Sequence, residues 1–207
     1  MNKTLLIITL LLSFGAYSQE DSTDIQVSSD AISTVITTNY FGTTDTLTFN
    51  ETKYSLAWSS NPSPGYYKQE YLLDSTTLED HNEMILVEAL KGKISPKVAA
   101  ELKVNELKEL KMNNPVINWN EFENKDERII DFVITDGATQ YEWNLYRYSI
   151  LKNSDREKYL VLFAYSYKDT LYTNEDLKPF FNRILENRDL LISKLGEFKL
   201  PELKIQE

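Results

Sequence analysis

Carboxylates are plentiful among the side chains in this sequence that are able to do chemistry, with 32 Asp and Glu residues against one histidine. Four of them crowd one predicted turn: Glu121, Glu123, Asp126 and Glu127. Asp131 and Glu142 are predicted to face each other across a hairpin. Glycosidases use two carboxyl groups about 5–10 Å apart in a cleft. An acidic chain produces such pairs by chance, so we interpret these residues as solvated turns and rims, and a carboxylate-based hydrolase is the least favoured hypothesis.

The sequence contains no motif for other kinds of catalytic chemistry. His81 is the only histidine, no G-x-S-x-G elbow is present, and there is no cysteine. A Ser-His-Asp triad and a zinc site are therefore not expected. The sequence holds no Walker A loop and no dinucleotide fingerprint. A calcium loop at 124–127 lacks the alternating acidic spacing of dedicated sites. We assign no catalytic residue, no metal site and no cofactor.

Aromatic residues make up 12% of the chain, and 13 of them are tyrosines. Four tyrosines are predicted to line one face of a sheet. Packing under a helix is the default interpretation. The alternative is an exposed platform for a peptide, glycan or protein, because Tyr and Trp are enriched at binding surfaces. The candidate binding residues are Trp143, Tyr146, Tyr148, Tyr165 and Tyr167.

The charge balance limits the class of partner. The net charge is −10, and nucleic-acid binding requires clustered Lys and Arg. We therefore expect no nucleic-acid partner and no polybasic membrane-surface role.

The N-terminus predicts the compartment. Lys3, the apolar run Leu5–Leu12 and the small-x-small sequence Ala16-Tyr17-Ser18 form a secretory signal peptide that is cleaved after Ser18. The apolar run is too short to span a bilayer, so the mature chain is expected to have no transmembrane segment. Since secreted eukaryotic domains more often carry disulfides, we expect a periplasmic or secreted protein of a Gram-negative bacterium.

A β-meander dominates the second half of the sequence. Runs rich in Val, Ile, Tyr, Phe and Trp predict four strands separated by turn residues: 116–123, 127–135, 141–151 and 159–168. The apolar positions of the third run predict a β-bulge near Asn144. The last run is apolar on both faces, as in a central strand.

The first half predicts strands at 46–49, 53–59, 66–72 and 83–89, with a rigid loop at Asn61–Gly65. Ser95-Pro96 opens a helix. Its apolar stripe is predicted from Val98, Ala99, Leu102, Leu107 and Leu110, with Lys103 on the wet side.

A second helix is predicted from about Asp176, as N-cap, to Leu195. Its apolar face is predicted from Leu177, Phe181, Ile184, Leu191 and Leu195, and Gly196 is the expected C-cap residue. The fold class is therefore α+β, with a central, mainly antiparallel sheet, a C-terminal β-meander and two main flanking helices. One domain is predicted over 46–200, with a polar arm at 19–45 and a charged tail at 201–207. Ile32–Phe41 is predicted as an edge strand or loosely ordered arm, or as a strand offered to a partner.

This order of elements resembles the PsbP-like α/β/α sandwich. The strand Tyr54-Ser55-Leu56-Ala57-Trp58 and the Ser95-Pro96 helix start are similar to those of that group. The resemblance implies a partner-binding module rather than an enzyme. Glu142–Tyr148 also looks like a segment of uncharacterised bacterial secreted proteins.

Two functional hypotheses follow. The first is a non-enzymatic interaction protein with a protein partner in the cell envelope, such as an accessory subunit of an envelope complex. The second is a glycan or small-ligand binder that uses the aromatic sheet face.

Overall fold

The computed structural model describes residues 37–42, 44–200 and 203–204, so the predicted signal peptide lies outside the described residues. Eight strands and two helices follow one another along the chain: β1 (Thr46–Phe49), β2 (Thr52–Ser63), β3 (Tyr66–Leu73), β4 (Glu83–Lys91), α1 (Pro96–Asn113), β5 (Asn118–Asn124), β6 (Glu127–Thr135), β7 (Gln140–Lys152), β8 (Lys158–Thr170) and α2 (Asn174–Glu197).

All eight strands form one antiparallel sheet in the order β1-β2-β3-β4-β8-β7-β6-β5. The first four strands form one meander and the last four form another. The two meanders meet at the central pair β4–β8, which runs from Glu83↔Tyr167 to Lys91↔Tyr159. The predicted α+β class, antiparallel sheet and C-terminal β-meander are confirmed.

The two helices lie on opposite faces of this sheet. Asp131 of β6 binds Arg188 of α2, whereas the ring of the next residue, Phe132, contacts Lys103 of α1. Since successive side chains of a strand point to opposite faces, α1 and α2 cover different sides. The α2 face carries a large apolar core, which includes Ile85, Trp143 and Phe163.

An arginine inside the sheet fixes the end of α2. Arg147 of β7 forms a two-point ion pair with Glu127 of β6, with distances of 2.9 Å (Nε–Oε2) and 2.8 Å (Nη2–Oε1). Its Nη1 donates to the backbone carbonyls of Leu195 at 2.9 Å and Phe198 at 2.6 Å. These carbonyls end the helix and have no intrahelical donor. Arg147 therefore joins two strands to the C-terminus of α2.

Two predictions about local strand structure are wrong. The register of β7 with β8 is continuous from Gln140↔Thr170 to Lys152↔Lys158, so there is no bulge near Asn144. Trp143 and Tyr146 lie on opposite faces by the ordinary alternation of a strand. Both faces carry large aromatic side chains because both faces of β7 are buried. The irregularities lie in β2 instead, at Leu56/Trp58 and Ser60/Ser63.

The predicted rigid loop Asn61–Gly65 is also mostly strand. β2 continues to Ser63, and only Pro64 and Gly65 form the turn to β3. Proline fixes φ near the value that this turn needs, and Gly65 supplies the positive φ of 79°. Pro62 is tolerated because it lies at a register irregularity, where no ladder hydrogen bond is required of it.

Helix α1 starts as predicted, with the Ser95 side chain accepting a hydrogen bond from the Val98 backbone N–H at 3.3 Å. Its buried face is different from the predicted one. Val98 and Leu102 are 43% and 53% exposed, whereas Lys103 is only 4% exposed. Lys103 is buried because its ammonium group lies over the rings of Phe132 and Tyr146 and pairs with Glu106 at 2.9 Å.

Helix α2 begins before the predicted position. Thr173 is the N-cap, and Asp176 is the third helical residue, whose carboxylate accepts from the Thr173 backbone N–H at 2.9 Å. Gly196 is not the C-cap, because the helix continues to Glu197 and Arg147 binds its last carbonyls. Phe180 is the buried phenylalanine, and Phe181 is only partly buried.

The first half of the predicted strand at 32–41, residues 32–36, lies outside the described residues. Its described part, from residue 37 onward, is not a strand. Phe41 nevertheless enters the core, and its backbone N–H donates to Gln69 Oε1 at 3.1 Å. No helix in the described ranges is long and apolar enough to cross a membrane.

Candidate functional site

A cleft of about 280 Å³ opens on the α2 face, between the β1–β2 hairpin and α2. Its volume is close to the lower end of the range for small-molecule sites. The lining residues come from six elements and the β1–β2 turn: Phe49, Asn50, Thr52, Tyr54, Glu83, Trp143, Tyr165, Arg183, Asn187 and Leu191.

Local sequence explains how the polar mouth of this cleft is built. Asn50 and Glu51 form the two-residue β1–β2 turn with φ values of 46° and 65°, a combination that asparagine tolerates well. On the other side, Arg183 and Asn187 are four residues apart, so they lie on the same side of α2. The Asn187 side chain donates to the Arg183 carbonyl at 2.8 Å.

Glu83 is the electrostatic centre of the cleft. Its Oε2 accepts from the Tyr54 hydroxyl at 2.9 Å, and its Oε1 pairs with Arg183. The Arg183 guanidinium also lies 4.1 Å from the centroid of the Tyr167 ring. Burial raises the pKa of Tyr54 and of Tyr165, and the nearby charge of Glu83 raises both further. Both hydroxyls therefore stay protonated and able to donate at neutral pH.

This arrangement suits binding better than catalysis. Phe49, Trp143 and Leu191 are buried behind the cleft, and the groups within reach of a ligand are mostly polar: one carboxylate, one guanidinium and an amide. Glu83 and Arg183 neutralise each other. A neutral ligand with several hydroxyl or amide groups would find both donors and acceptors here. In the part of the chain that the structure describes, no group of three or more His, Asp or Glu residues is placed to hold a metal ion.

The structure separates the five predicted binding residues into two groups. Trp143 and Tyr165 line the cleft, and Tyr167 lies under Arg183. Tyr146 and Tyr148 lie on the opposite, α1 face of β7. The prediction that the four tyrosines share one face is therefore wrong. In this register the two tyrosines of β7 and the two tyrosines of β8 point to opposite faces of the sheet. All five residues are buried, none above 7% exposed, so they do not form an open platform.

The predicted carboxylate pair is also wrong. The residue opposite Glu142 is Ile134, and the residue opposite Asp131 is Leu145. Asp131 and Glu142 therefore lie on opposite faces of the sheet. Asp131 accepts from the Trp143 indole N–H and from Arg188, which makes it a structural group of the α2 face.

Two of the four residues of the acidic turn, Asp126 and Glu127, line a second cleft of about 460 Å³, together with Lys125 and Arg147. Glu127 points into the protein toward Arg147 and Ser149. Burial opposes ionisation of Glu127, but the hydrogen bonds from Arg147 and Ser149 hold its pKa below the ordinary value. His81 contacts the Thr77 carbonyl at 3.2 Å, and burial lowers its pKa.

Sequence reasoning missed Glu83, Arg183 and Asn187. Glu83 and Arg183 are 100 residues apart in the chain, and neither belongs to a motif. The sequence signal for Glu83 and Arg183 was weak: each is a charged residue at the edge of an apolar run that packs on the core.

The sheet and its two helices define the chain as an α+β protein built on a single antiparallel sheet. Residues 41–200 match the model of an uncharacterised family, and the chain belongs to that family. No curated protein and no solved structure matches the chain.

Proposed function

We propose that this chain is an exported, non-enzymatic binding protein of the cell envelope and that the cleft holds a small polar ligand. The observation that carries the proposal is a cavity in which the Glu83–Arg183 pair and the Tyr54 hydroxyl lie together in front of a rigid apolar core. Hydrogen bonding to charged groups is an interaction that carbohydrates and similar polyhydroxylated molecules use.

The polar groups of the cleft are suited to a neutral ligand. Arg183 is 49% exposed at its side chain, so a ligand reaches it from solvent, while Glu83 is 19% exposed. A ligand hydroxyl placed between them would donate to the carboxylate and accept from the guanidinium. A strongly charged ligand would have to break the existing pair, which costs part of its binding energy. We therefore place glycans and neutral polar metabolites ahead of anions.

Thermal-shift screening tests this function. The purified protein is heated with a panel of mono- and disaccharides and neutral polar metabolites, and a true ligand raises Tm. At a concentration 100-fold above Kd, the stabilisation is about 2.7 kcal/mol. Calorimetric titration of the best ligand then compares the wild type with Arg183→Ala, which removes the cationic side of the mouth.

Lys178→Ala is the matched control, because Lys178 is exposed on the same helix and does not line the cleft. We expect at least tenfold weaker binding for Arg183→Ala and unchanged binding for Lys178→Ala. Equal affinities in all three proteins, or a panel without any stabilising compound, would remove the cleft as the binding site.

A protein partner in the envelope is the second candidate. The outer side of α1 presents Val98 and Leu102 one turn apart, with Met112 78% exposed farther along the same helix. Exposed apolar side chains grouped on one helix are typical of helix-in-groove recognition.

Envelope extract passed over the immobilised protein tests this candidate. We expect a stoichiometric partner to be retained by the wild type and lost with Leu102→Asp, while Lys108→Asp on the same helix retains it. Recovery of no stoichiometric partner would count against this function. Cell fractionation tests export, and a full-length protein that stays in the cytoplasm with residues 1–18 attached would contradict it.

A further inference from the structure

Basic side chains lie together at one end of the sheet, although the chain as a whole has a net charge of −10. Lys152 ends β7 and Lys158 begins β8, and these two residues are directly opposite each other in the ladder. Arg156 lies in the turn that joins the two strands. The backbone N–H of Gly92 donates to the Lys158 carbonyl at 3.2 Å, which brings Lys93 beside them. We name this group of four cations the basic end: Lys93, Lys152, Arg156 and Lys158.

The positive charge of the basic end is not compensated inside its own turn. All four cations are exposed, and none takes part in an ion pair between residues that the structure describes. The β7–β8 turn also contains two acidic residues, Asp155 and Glu157. Glu157 is already paired with Lys91 at 2.5 Å. Asp155 therefore offsets one of the four positive charges, and three remain.

The neighbouring elements do not supply the missing negative charge. The first turn of α1 holds no acidic residue, and Lys97 of that turn pairs with Glu101 at 3.9 Å. In the β5–β6 turn, Lys125 and Asp126 are adjacent and carry opposite charges. The other charged residues of that hairpin end are paired, Glu123 with Arg128 and Glu127 with Arg147.

The C-terminal segment does not change this balance. Leu203 forms a bridge with Asn153 of the β7–β8 turn. In the sequence Leu203 lies between Glu202 and Lys204, which carry opposite charges. An excess of three positive charges at the basic end therefore contrasts with the strongly negative whole chain.

The Lys152–Lys158 pair is unfavourable for folding. Residues directly opposite each other in an antiparallel ladder have Cβ atoms about 4.5–5.5 Å apart, and like charges in such positions destabilise a sheet. A polyanion bound at this end would remove the repulsion between the two lysines. The pair therefore contributes to the attraction of an external anion and not to the stability of the free protein.

We propose that the basic end docks this protein on a bilayer that contains anionic phospholipids. Its cations are carried by strand ends and a turn, and neither of the two clefts described above is lined by any of them. A plane of many phosphate groups can attract such cations without a fixed geometry, at a gain for each lysine or arginine. A single phosphate or an acidic peptide needs a more closely shaped site. Ile150 is on the same strand face as Lys152 and is 38% exposed, so it adds an apolar contact at the headgroup level.

The net charge of the chain does not oppose this orientation. It was the reason to expect no polybasic membrane-surface role, but it averages over the whole surface. At physiological ionic strength the Debye length is about 8 Å, so the charges that act on a bilayer are those at the end that touches it. The bilayer therefore meets the local excess of three positive charges.

Docking through the basic end leaves the first cleft open. Glu83 of the cleft begins β4, whereas Lys91 beside the basic end finishes the same strand. Eight residues of an antiparallel strand span about 27 Å. The cleft and the basic end are therefore at opposite ends of the sheet, and the membrane proposal does not depend on a ligand in the cleft.

Vesicle sedimentation tests the proposal. The chain without residues 1–18 is mixed with vesicles of pure phosphatidylcholine, or of phosphatidylcholine and phosphatidylglycerol in a ratio of seven to three. We expect it to sediment with the anionic vesicles only. We also expect sodium chloride to release it, because salt screens the attraction between exposed charges and headgroups.

Two double variants connect this binding to the basic end. Lys152→Ala combined with Lys158→Ala is expected to weaken binding about 25-fold, since each lysine near an anionic bilayer contributes about fivefold. Its Tm should be unchanged or higher because the like-charge repulsion is removed, so unfolding does not explain the loss. Lys178→Ala combined with Lys194→Ala is the control, because both lysines are exposed on α2 and the change in net charge is the same. We expect it to bind like the wild type.

Each contrary result overturns membrane docking. These results are no sedimentation with anionic vesicles, equal sedimentation with both kinds of vesicle, or an equal loss in the two double variants. Release by inorganic phosphate at an ionic strength at which sodium chloride has no effect would assign the basic end to a free phosphate ion. Tighter binding to immobilised poly-glutamate than to anionic vesicles would assign it to an acidic protein.

Discussion

The two faces of the sheet differ in how completely their buried polar groups are paired. On the α2 face, Asp131 binds Trp143 and Arg188, and Glu127 binds Arg147 and Ser149. On the α1 face, Tyr148 has a hydroxyl without a partner. Both faces are buried, so the difference does not come from solvent. The α2 face is organised for stability, and the α1 face retains polar groups that cost stability, which is typical of functional sites.

The two faces also differ in the pKa values of their carboxyl groups. The hydrogen bonds of Glu127 on the α2 face hold its pKa below the ordinary value. On the α1 face, burial raises the pKa of Glu142 to about 7, although Lys168 opposes the rise. Burial also lowers the pKa of Lys168. Charged groups thus stabilise one face at neutral pH and weaken the other.

Arg147→Leu provides the strongest test of the α2 face. The change removes the partner of Glu127 and leaves the last carbonyls of α2 without donors. We expect the free energy of unfolding to fall by about 3–5 kcal/mol, as when one member of a buried ion pair is removed. Urea denaturation measures it. Arg128→Leu is the control, because its partner Glu123 is 77% exposed, and a loss above about 1 kcal/mol there would make the contrast between the pairs doubtful.

Asp131→Asn tests the second polar anchor of the same face. The substitution keeps the shape of the side chain but removes the charge that binds Arg188, and one oxygen becomes a donor. The expected loss is about 2 kcal/mol, in the range for hydrogen bonds to charged groups. Thermal and urea unfolding measure it. A neutral effect would show that the Arg188–Asp131 pair does not help to hold α2 on the sheet.

Glu142→Gln tests the α1 face through pH. Because the folded-state pKa is raised to about 7 from 4.5, the native protein binds the proton more tightly than the unfolded chain. Stability from this group is present below pH 4.5 and is lost as pH rises toward 7. Glu142→Gln should reduce this fall by roughly 1–3 kcal/mol. Urea midpoints at pH 4.5 and 7.5 measure the difference, and parallel pH profiles would contradict the raised pKa.

A matched pair of hydroxyl deletions gives the smallest effects and the sharpest comparison. Tyr54→Phe removes a hydroxyl that donates to Glu83, and it should destabilise the protein by about 1 kcal/mol. Tyr148→Phe removes the unpartnered hydroxyl and should stabilise by a similar amount. Opposite signs in Tm would support the difference between the faces. Equal signs would mean that Tyr148 has a partner in solution.

The sequence predicted the strands better than the contacts between them. The predicted run 127–135 coincides with β6, because its β-branched and aromatic residues are bounded by turn residues on both sides. The prediction of which face of α1 is buried was wrong for a physical reason. Leucine at 102 was expected inside and lysine at 103 outside, but the rings and carboxylate that accept the Lys103 ammonium come from β6, β7 and α1 together.

The candidate sites were less predictable still. Trp143 and Tyr165 were identified as binding residues from residue type alone, and both line the cleft. Whether two residues share a face depends on the register, which set Glu142 opposite Ile134 rather than near Asp131. The Glu83–Arg183 pair depends on where α2 returns to the sheet, and no local pattern specifies that.

The β4–β8 junction has a consequence for how the nascent chain acquires its structure. The ladder partners of β4 follow it by about seventy residues, from Lys91↔Tyr159 outward. Closing so long a loop is entropically costly and slows folding. The amino-terminal meander therefore keeps one unpaired edge until translation has passed Thr170. Until then that edge offers unpaired N–H and C=O groups to any other extended segment, so the unfinished sheet is exposed to wrong pairing and aggregation.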